Sequence, residues 1–315
     1  YTALCSHCYE YHYTSCEHCG RLIECDCANY DEDDDFPYCD ECYREIQESA
    51  IKPYNYKPEP IFYGSGDLFY GIELEIDKGG ERNDYAESIL NVANKDNNYL
   101  YAKHDGSIDD GFEIVSHPMT LEYHTNTMNW SDVMEMALSL GYRSHQTYTC
   151  GLHIHVNRNA FGENYDTQED AISRIVHFVE MHWNELLKFS RRTEANMDRW
   201  ASRYGIANTA KDTYKNAKTK HCGRYVAVNL ENYATIEFRL FRGTLKYKTF
   251  LATLQLVDEI CSLALKLSDK ELESMSWSDF VGRIDSDKSE LIEYLKAKRL
   301  YFNEPVDISL ETEVE

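Results

Sequence analysis

"LFYGIELEI", residues 68–76, is the stretch from which the rest of the chain can be read. Phe69, Gly71, Glu73 and Glu75 alternate with Leu68, Tyr70, Ile72, Leu74 and Ile76. A period of two belongs to a strand, whose successive side chains point to opposite faces. One face is apolar and the other sets two carboxylates side by side. Such a pair repels itself and is costly to bury. Either it faces solvent, or a divalent cation that favours hard oxygen ligands, Mg2+ or Mn2+, relieves both problems.

Outward from there the same alternation predicts strands at "FEIVS" (112–116), "LHIHV" (152–156), "YVAVNL" (225–230) and "TIEFRLF" (235–241). Helices are expected near 81–95, 120–140, 167–192, 247–267 and 287–298. The third carries Ile172, Ile175, Val176, Val179, Trp183, Leu186 and Leu187 at a 3.6-residue period. The fold class is therefore α+β, and no internal repeat is visible. With 315 residues, 43% of them hydrophobic, the chain can fill one large core plus something small.

The strands carry more chemistry. Glu113 follows a glycine-rich turn in "KHDGSIDDGFEIVSHP", and Glu237 shares a strand face with Arg239 in "ATIEFRLFRG". A carboxylate beside a guanidinium suits a metal–phosphate site, the first holding the cation and the second neutralising phosphate oxygens; a structural ion pair is the plainer alternative. His153 and His155 also share a face. HxH on a strand is a metal pair, a satisfied structural pair, or one ligand plus one phosphate contact.

Eight of the eleven cysteines lie within the first 42 residues, as Cys5-x-x-Cys8, Cys16-x-x-Cys19, Cys25-x-Cys27 and Cys39-x-x-Cys42. Two intervening residues let a tight turn aim both thiolates at one tetrahedral ion, so four pairs predict two structural zinc sites. "CEHCGRLI…FPYCDECYREIQ" resembles a zinc knuckle followed by a pair that opens a helix, as in LIM-like and treble-clef fingers. That resemblance groups Cys16, Cys19, Cys39 and Cys42 and leaves Cys5, Cys8, Cys25 and Cys27 for the other site. His7, His12 and His18 are weaker substitutes. So short a segment has no core without its metal, and folding and zinc binding should be coupled. The expected organisation is a zinc-binding module at 1–48, a proline-containing linker at 49–60, a catalytic domain at 61–302 and a disordered acidic tail at 303–315. "DEDDD" (31–35) reads as a solvated loop.

A formal net charge of −23 opposes binding to nucleic acid or to an anionic membrane. No run of uncharged apolar residues is long enough for a transmembrane helix. No secretory signal is visible, a chain beginning at Tyr1 is expected to lack a few residues of its start, and CxxC cysteines point to a reducing, cytoplasmic compartment.

Together the motifs run GIELE, GFEIVS, CGLHIHV, RYVAVNL and IEFR, followed by "GTLKYKTFLATLQLVDEI". In that order they resemble the carboxylate–amine ligase superfamily with the glutamine synthetase fold. Within it the chain looks most like the amidoligase family found often in phages and bacteria, and it is more distantly similar to glutamate–cysteine ligases. The resemblance covers about residues 68–262. It implies an antiparallel curved sheet flanked by helices, and a host-cell cytoplasm if the chain is phage-encoded. It implies ATP and Mg2+ (or Mn2+) as cofactors, with Glu73 and Glu75 each contributing to a different ion. Glu113 would complete one cluster, and His153 with Glu237 the other. His155 would touch nucleotide phosphates, and Arg239 would stabilise the transferring phosphoryl group. Arg224 and Arg242 would meet substrate carboxylate or phosphate, and Asn229 would orient substrate. A further metal carboxylate of glutamine synthetase has no clear counterpart, Asp105 and Asp109 being weak candidates; the ammonium and glutamate pockets are not recognisable. The resemblance implies amide formation through an acyl phosphate. The partners would be a carboxylate and an amine, and the fused zinc module favours a peptide or protein among them. A homo-oligomer is compatible with it.

Residues 197–224 hold seven Lys or Arg against two Asp, with little hydrophobic periodicity. They read as a basic flap closing over an anionic ligand, or simply as a solvated basic loop. Two competing functions are an inactive ligase scaffold that binds a partner through its zinc module, and a metal-dependent hydrolase. The near-complete ligand set argues against the first, and an arginine beside the metal glutamate against the second.

Overall fold

A computed structural model describes residues 5–30, 35–219 and 223–302. Most of the "DEDDD" loop and the acidic tail from 303 lie outside the described residues.

The chain runs α1 (Ser6–His12), β1 (Tyr13–Ser15), β2 (Leu22–Glu24), α2 (Asp40–Glu48), β3 (Ile51–Lys52), β4 (Tyr70–Ile76) and α3 (Asn83–Ala93). Next come β5 (Leu100–Lys103), β6 (Phe112–Ser116), α4 (Leu121–Asn126), α5 (Trp130–Ser139) and β7 (Gly151–Asn157). Then follow α6 (Tyr165–Met181), α7 (Trp183–Ser190), α8 (Glu194–Trp200), α9 (Ala210–Thr219), β8 (Val228–Asn229) and β9 (Thr235–Arg242). The last are α10 (Tyr247–Lys266), α11 (Asp269–Glu273), α12 (Trp277–Val281) and α13 (Ser289–Ala297). Architecture is mixed α+β: β1 and β2 form a small hairpin, and seven strands form one sheet in the order β3-β5-β6-β4-β7-β9-β8. Every pairing in that sheet is antiparallel except β3 with β5.

The alternation in β4 sets which side of the sheet is helix-covered. Tyr70, Ile72, Leu74 and Ile76 are fully buried, with Ile114, Leu152, Ile154, Val156, Ile236 and Phe238 in the same core. The Tyr70 hydroxyl donates to Asp258 of α10 at 2.6 Å, so this face packs against that helix. Burial of each such aliphatic or aromatic side chain contributes about 1.5–3 kcal/mol, which offsets the cost of gathering charge on the opposite face.

Several expectations change. The 120–140 helix is broken into α4 and α5, and the 167–192 helix into α6 and α7 around His182. Of 225–230 only Val228–Asn229 is strand, because Val226 bridges Ser202 instead of continuing along β9. The 49–60 segment contributes an edge strand, Ile51 and Lys52 pairing with Ala102 and Lys103. The described part of 197–224 includes the end of α8 and all of α9: α9 buries Ala210, Thr213, Tyr214 and Ala217, and Thr213 Oγ1 lies 2.9 Å from His177 Nδ1 on α6. Small and hydroxylated residues at a 3.6 period gave too weak an apolar signal to be read as a helix. Near the start, Cys16, Tyr38, Cys39 and Cys42 form a core of their own, separate from the main one. Among the described residues no helix is long and apolar enough to cross a membrane.

Candidate active site

On the face of the sheet opposite α10, register brings the charged residues together. Glu73 lies opposite His153, Glu75 opposite Glu113, His155 opposite Glu237, and Asn229 opposite Glu237. Pairing of β7 with β9 shifts between Leu152 and Ile154, so β9 carries an extra residue beside Arg239. Such a bulge re-aims side chains at its strand.

Glu73 is the hub. Its Oε2 lies 3.2 Å from His153 Nδ1 and its Oε1 3.1 Å from His155 Nε2. His153 Nδ1 is 3.7 Å from Glu237 Oε1, and its Nε2 is 3.7 Å from Glu75 Oε1. One ligand atom each from Glu73, His153 and Glu237 falls within 4.8 Å of the others. Ligand atoms around a small divalent ion sit about 2.0–2.2 Å from it, so this spacing needs little closure. Buried carboxylate oxygens with one imidazole fit Mg2+ or Mn2+. Asn229 and Asn232 donate to the far oxygen of Glu237 at 2.8 and 3.3 Å, and Arg239 bonds its near oxygen.

The electrostatics follow from burial against charge. Burial alone would raise Glu73, but the imidazoles of His155 and His153 outweigh it and hold the carboxyl well below the usual range. For Glu237 burial is likewise outweighed, chiefly by His155. Burial would lower His155, but Glu73 and Glu237 lift it to about 9. Glu75 is pushed up by burial, although its Oε2 accepts the Gly151 N–H at 2.5 Å. Glu113 is pushed up to about 8 by burial and then by Glu73.

The expected second ion cluster is not assembled in the same way. Glu113 bonds Lys103 Nζ at 3.1 Å, and among the described residues no third ligand joins Glu75 and Glu113. Lys103 therefore supplies the positive charge there. Asp105 lines the cavity, with Oδ1 accepting from Ser107 N and Oγ, each at 2.6 Å. Arg224 is at the rim, donating to the hydroxyls of Tyr54 and Tyr225. Arg242 is not brought to this cavity; its guanidinium donates to Thr147 O at 3.2 Å beyond the end of the site.

Two cations escaped the sequence reading. Lys103 is on β5, a strand too short to stand out. Arg192 follows α7 in "FSRRTEAN", where no spacing signals a site; it is buried beside Glu75, and burial lowers it to about 10.

The carboxylate cavity, about 280 Å³, adjoins a larger one of about 980 Å³, and His155, Glu231 and Asn232 line both. The larger cavity is rich in aromatic residues, with Phe62, Phe69, Tyr165, Tyr214 and Tyr233 on its walls. Gly71 lies on its floor, opposite His155 in register.

At the other end of the chain, thiol groups of Cys16, Cys19, Cys39 and Cys42 come within 4.8 Å of one another, a tetrahedral set that could hold zinc. Burial opposes ionisation of Cys16, but N–H groups of Cys19, Cys39 and His18 bring it down to about 6, favouring the thiolate a metal needs. His18 also approaches Cys42 and Glu45. Cys5 and Cys8 sulfurs are 3.3 Å apart, whereas Cys25 and Cys27 sit in a 3₁₀ turn and complete no group with them.

A protein-family model described as "Putative amidoligase enzyme" matches residues 88–261. The chain belongs to that family. The matched stretch includes Glu113, His153, His155, Asn229, Glu237 and Arg239, while β4 with Glu73 and Glu75 precedes it. No curated protein matches this amidoligase-family chain. Among solved structures it is similar to a bifunctional glutathione synthetase from Pasteurella multocida. Identity is 12% and the TM-score 0.39, over 76% of this chain and 45% of that one. The chain thus spans less than half the length of that protein.

Proposed function

We propose that this member of the amidoligase family is an ATP- and Mg2+-dependent carboxylate–amine ligase with a glutamine synthetase-like catalytic domain. The observation that carries the reading is the convergence of Glu73, His153 and Glu237, with Arg239 bonded to Glu237, on a buried sheet face that opens into a large aromatic-walled cavity. That cavity is offered as the place of the nucleotide's base and sugar, its phosphates directed to His155 and the carboxylates. A bound divalent ion would clamp phosphate oxygens and withdraw charge from them.

The chain's own groups do the rest. Glu73, Glu237 and His153 hold the ion, and Asn229 and Asn232 fix the Glu237 carboxylate. Arg239 and Arg192 place positive charge along the site, and Arg224 stands at its mouth for an incoming anion. A substrate carboxylate oxygen attacks the γ-phosphorus, the bond to ADP breaks, and an acyl phosphate results. The amine nitrogen then attacks the carbonyl carbon, inorganic phosphate leaves and the nitrogen loses a proton. Residues 1–48 are proposed as the zinc-binding module, with zinc at Cys16, Cys19, Cys39 and Cys42 and a second ion drawing Cys5, Cys8, Cys25 and Cys27 together. The ten described cysteines are all free, which supports a cytoplasmic setting.

The test is ADP release with Mg2+ over panels of carboxylates and of amines, including peptides, with Glu73→Gln as control. ADP formation should require both an acid and an amine, and Glu73→Gln should lower it by about a hundredfold or more. Absence of ATP binding by the intact chain would sink the ligase reading and leave the partner-binding scaffold.

A further inference from the structure

A separate cavity of about 550 Å³ lies beyond the end of the carboxylate site, and its charged lining residues are all basic. Arg143 and His145 come from the loop after α5, Arg191 from the end of α7, Lys246 from the turn into α10, and Lys298 from the end of α13. No Asp or Glu lines it. Among the described residues none of these five has a carboxylate within ion-pair distance, in a chain with 55 acids and 32 Lys or Arg. Burial and then Arg191, Lys188 and Lys246 hold the Lys298 ammonium below its ordinary value. His145 is likewise lowered, by burial and then by Arg242, Arg191 and Lys298.

Buried polar atoms and a helix end lie beside the cavity. Ser144 is 2% exposed, lines the cavity, and its Oγ has no hydrogen-bond partner. Arg191 Nε is also buried without a partner, while its Nη2 is anchored on Arg242 O. The twenty-residue α10 opens at the same place with no side-chain cap, adding the positive end of its dipole. Like charges gathered from four parts of the chain repel one another. Among the described residues no carboxylate offsets that repulsion; the C-terminal ends of α7 and α13, where Arg191 and Lys298 sit, relieve only part of it.

We propose that this cavity is a second, oxyanion-binding site, for a small organic molecule bearing phosphate or several carboxylates. Arg191, Lys246 and Lys298 supply the charge. Leu138, Leu245 and Tyr294 on the same walls receive the ligand's carbon skeleton. The site is independent of the ligase reading. It adjoins the carboxylate cavity through consecutive residues: Arg191 borders the basic cavity, and Arg192 borders the acidic one.

Calorimetric titration of the full chain with pyrophosphate, and separately with citrate, without added divalent metal tests this. Saturable binding of either is expected, and the stronger of the two identifies the ligand as phosphate- or carboxylate-bearing. Lys246→Gln and Lys298→Gln should each weaken binding by about tenfold, the scale of one charge-assisted contact, while Arg239→Gln in the acidic cavity leaves it unchanged. Lys246 is exposed and Lys298 half-buried, so both variants should retain the wild-type circular dichroism spectrum. Binding that survives both lysine variants, binding lost only in Arg239→Gln, or no saturable binding of either anion would each overturn the proposal.

Discussion

His124 anchors the acidic strand, and lowering the pH should loosen it. Its Nε2 donates to Tyr70 O at 2.9 Å, where β4 begins, and its Nδ1 accepts from Trp130 Nε1 at 3.1 Å. Both ring nitrogens are committed to the neutral form in a fully buried position. Burial lowers its value from 6.5 to about 4. The unfolded chain therefore takes up a proton on His124 at a pH where the folded chain does not. Its contribution is fully present above 6.5 and lost as the pH falls toward 4. From those two values, moving from about pH 7.5 to about pH 5 removes about 2 kcal/mol of stability. Urea unfolding of wild type and His124→Gln at both pH values measures it. The variant should be less stable at the higher pH, having lost a buried hydrogen-bonded side chain, yet lose about 2 kcal/mol less than wild type on acidification. His117, His177 and His182 are also lowered by burial, and the subtraction removes them. Equal acid sensitivity in the two proteins would refute the reasoning.

Gly151→Ala places a Cβ 2.5 Å from His153 Nε2 and 2.9 Å from Arg192 Nη2. Mg2+-dependent ADP formation should fall at least about tenfold while circular dichroism is retained; unchanged turnover would mean that neither side chain is needed where it lies. His153→Ala should raise the Mg2+ requirement, whereas His155→Ala should mainly raise the apparent ATP requirement, and identical effects would undo that division of roles. Cys16→Ser should lower zinc content measured by atomic absorption, with Cys150→Ser as the control. Wild-type zinc content in Cys16→Ser would remove that thiolate from the metal set.

Much of the sheet was legible because alternation is strong where one face packs on helices. β4, β6, β7 and β9 fall within two residues of their expected bounds at each end. The same alternation put Glu73 and Glu75, and His153 and His155, on common faces. Cross-strand partners were a different matter. That Glu73 meets His153 and Glu75 meets Glu113 depends on register, which the pattern within one strand does not contain. Lys103 and Arg192 were invisible for related reasons: the first lies on a four-residue strand, the second after a helix end that only the tertiary fold carries to Glu75. Arg242 lies three residues beyond Arg239, an odd step that alternation alone puts on the other face; the bulge in β9 returns it to the face of Glu237, opposite Gly151, but at the strand's end its guanidinium reaches Thr147 O instead of the cavity. The basic cavity draws its five basic residues from four separated segments, and no window of sequence shows it.

β4 presents Gly71, Glu73 and Glu75 in turn to one face, the first on the floor of the large cavity and the others among the charged groups. Each step along that face advances about 6.8 Å, two residues of strand rise. This makes the strand unforgiving of insertions and deletions in a way that substitutions do not reveal. Gain or loss of one residue between Tyr70 and Ile76 would turn the carboxylates into the core and the aliphatic residues into the cavity. Gain of two would keep the faces but slide each carboxylate one station along the sheet. Length variation in homologous chains should therefore be excluded from this segment and fall in the connections on either side, where the ladder does not count residues.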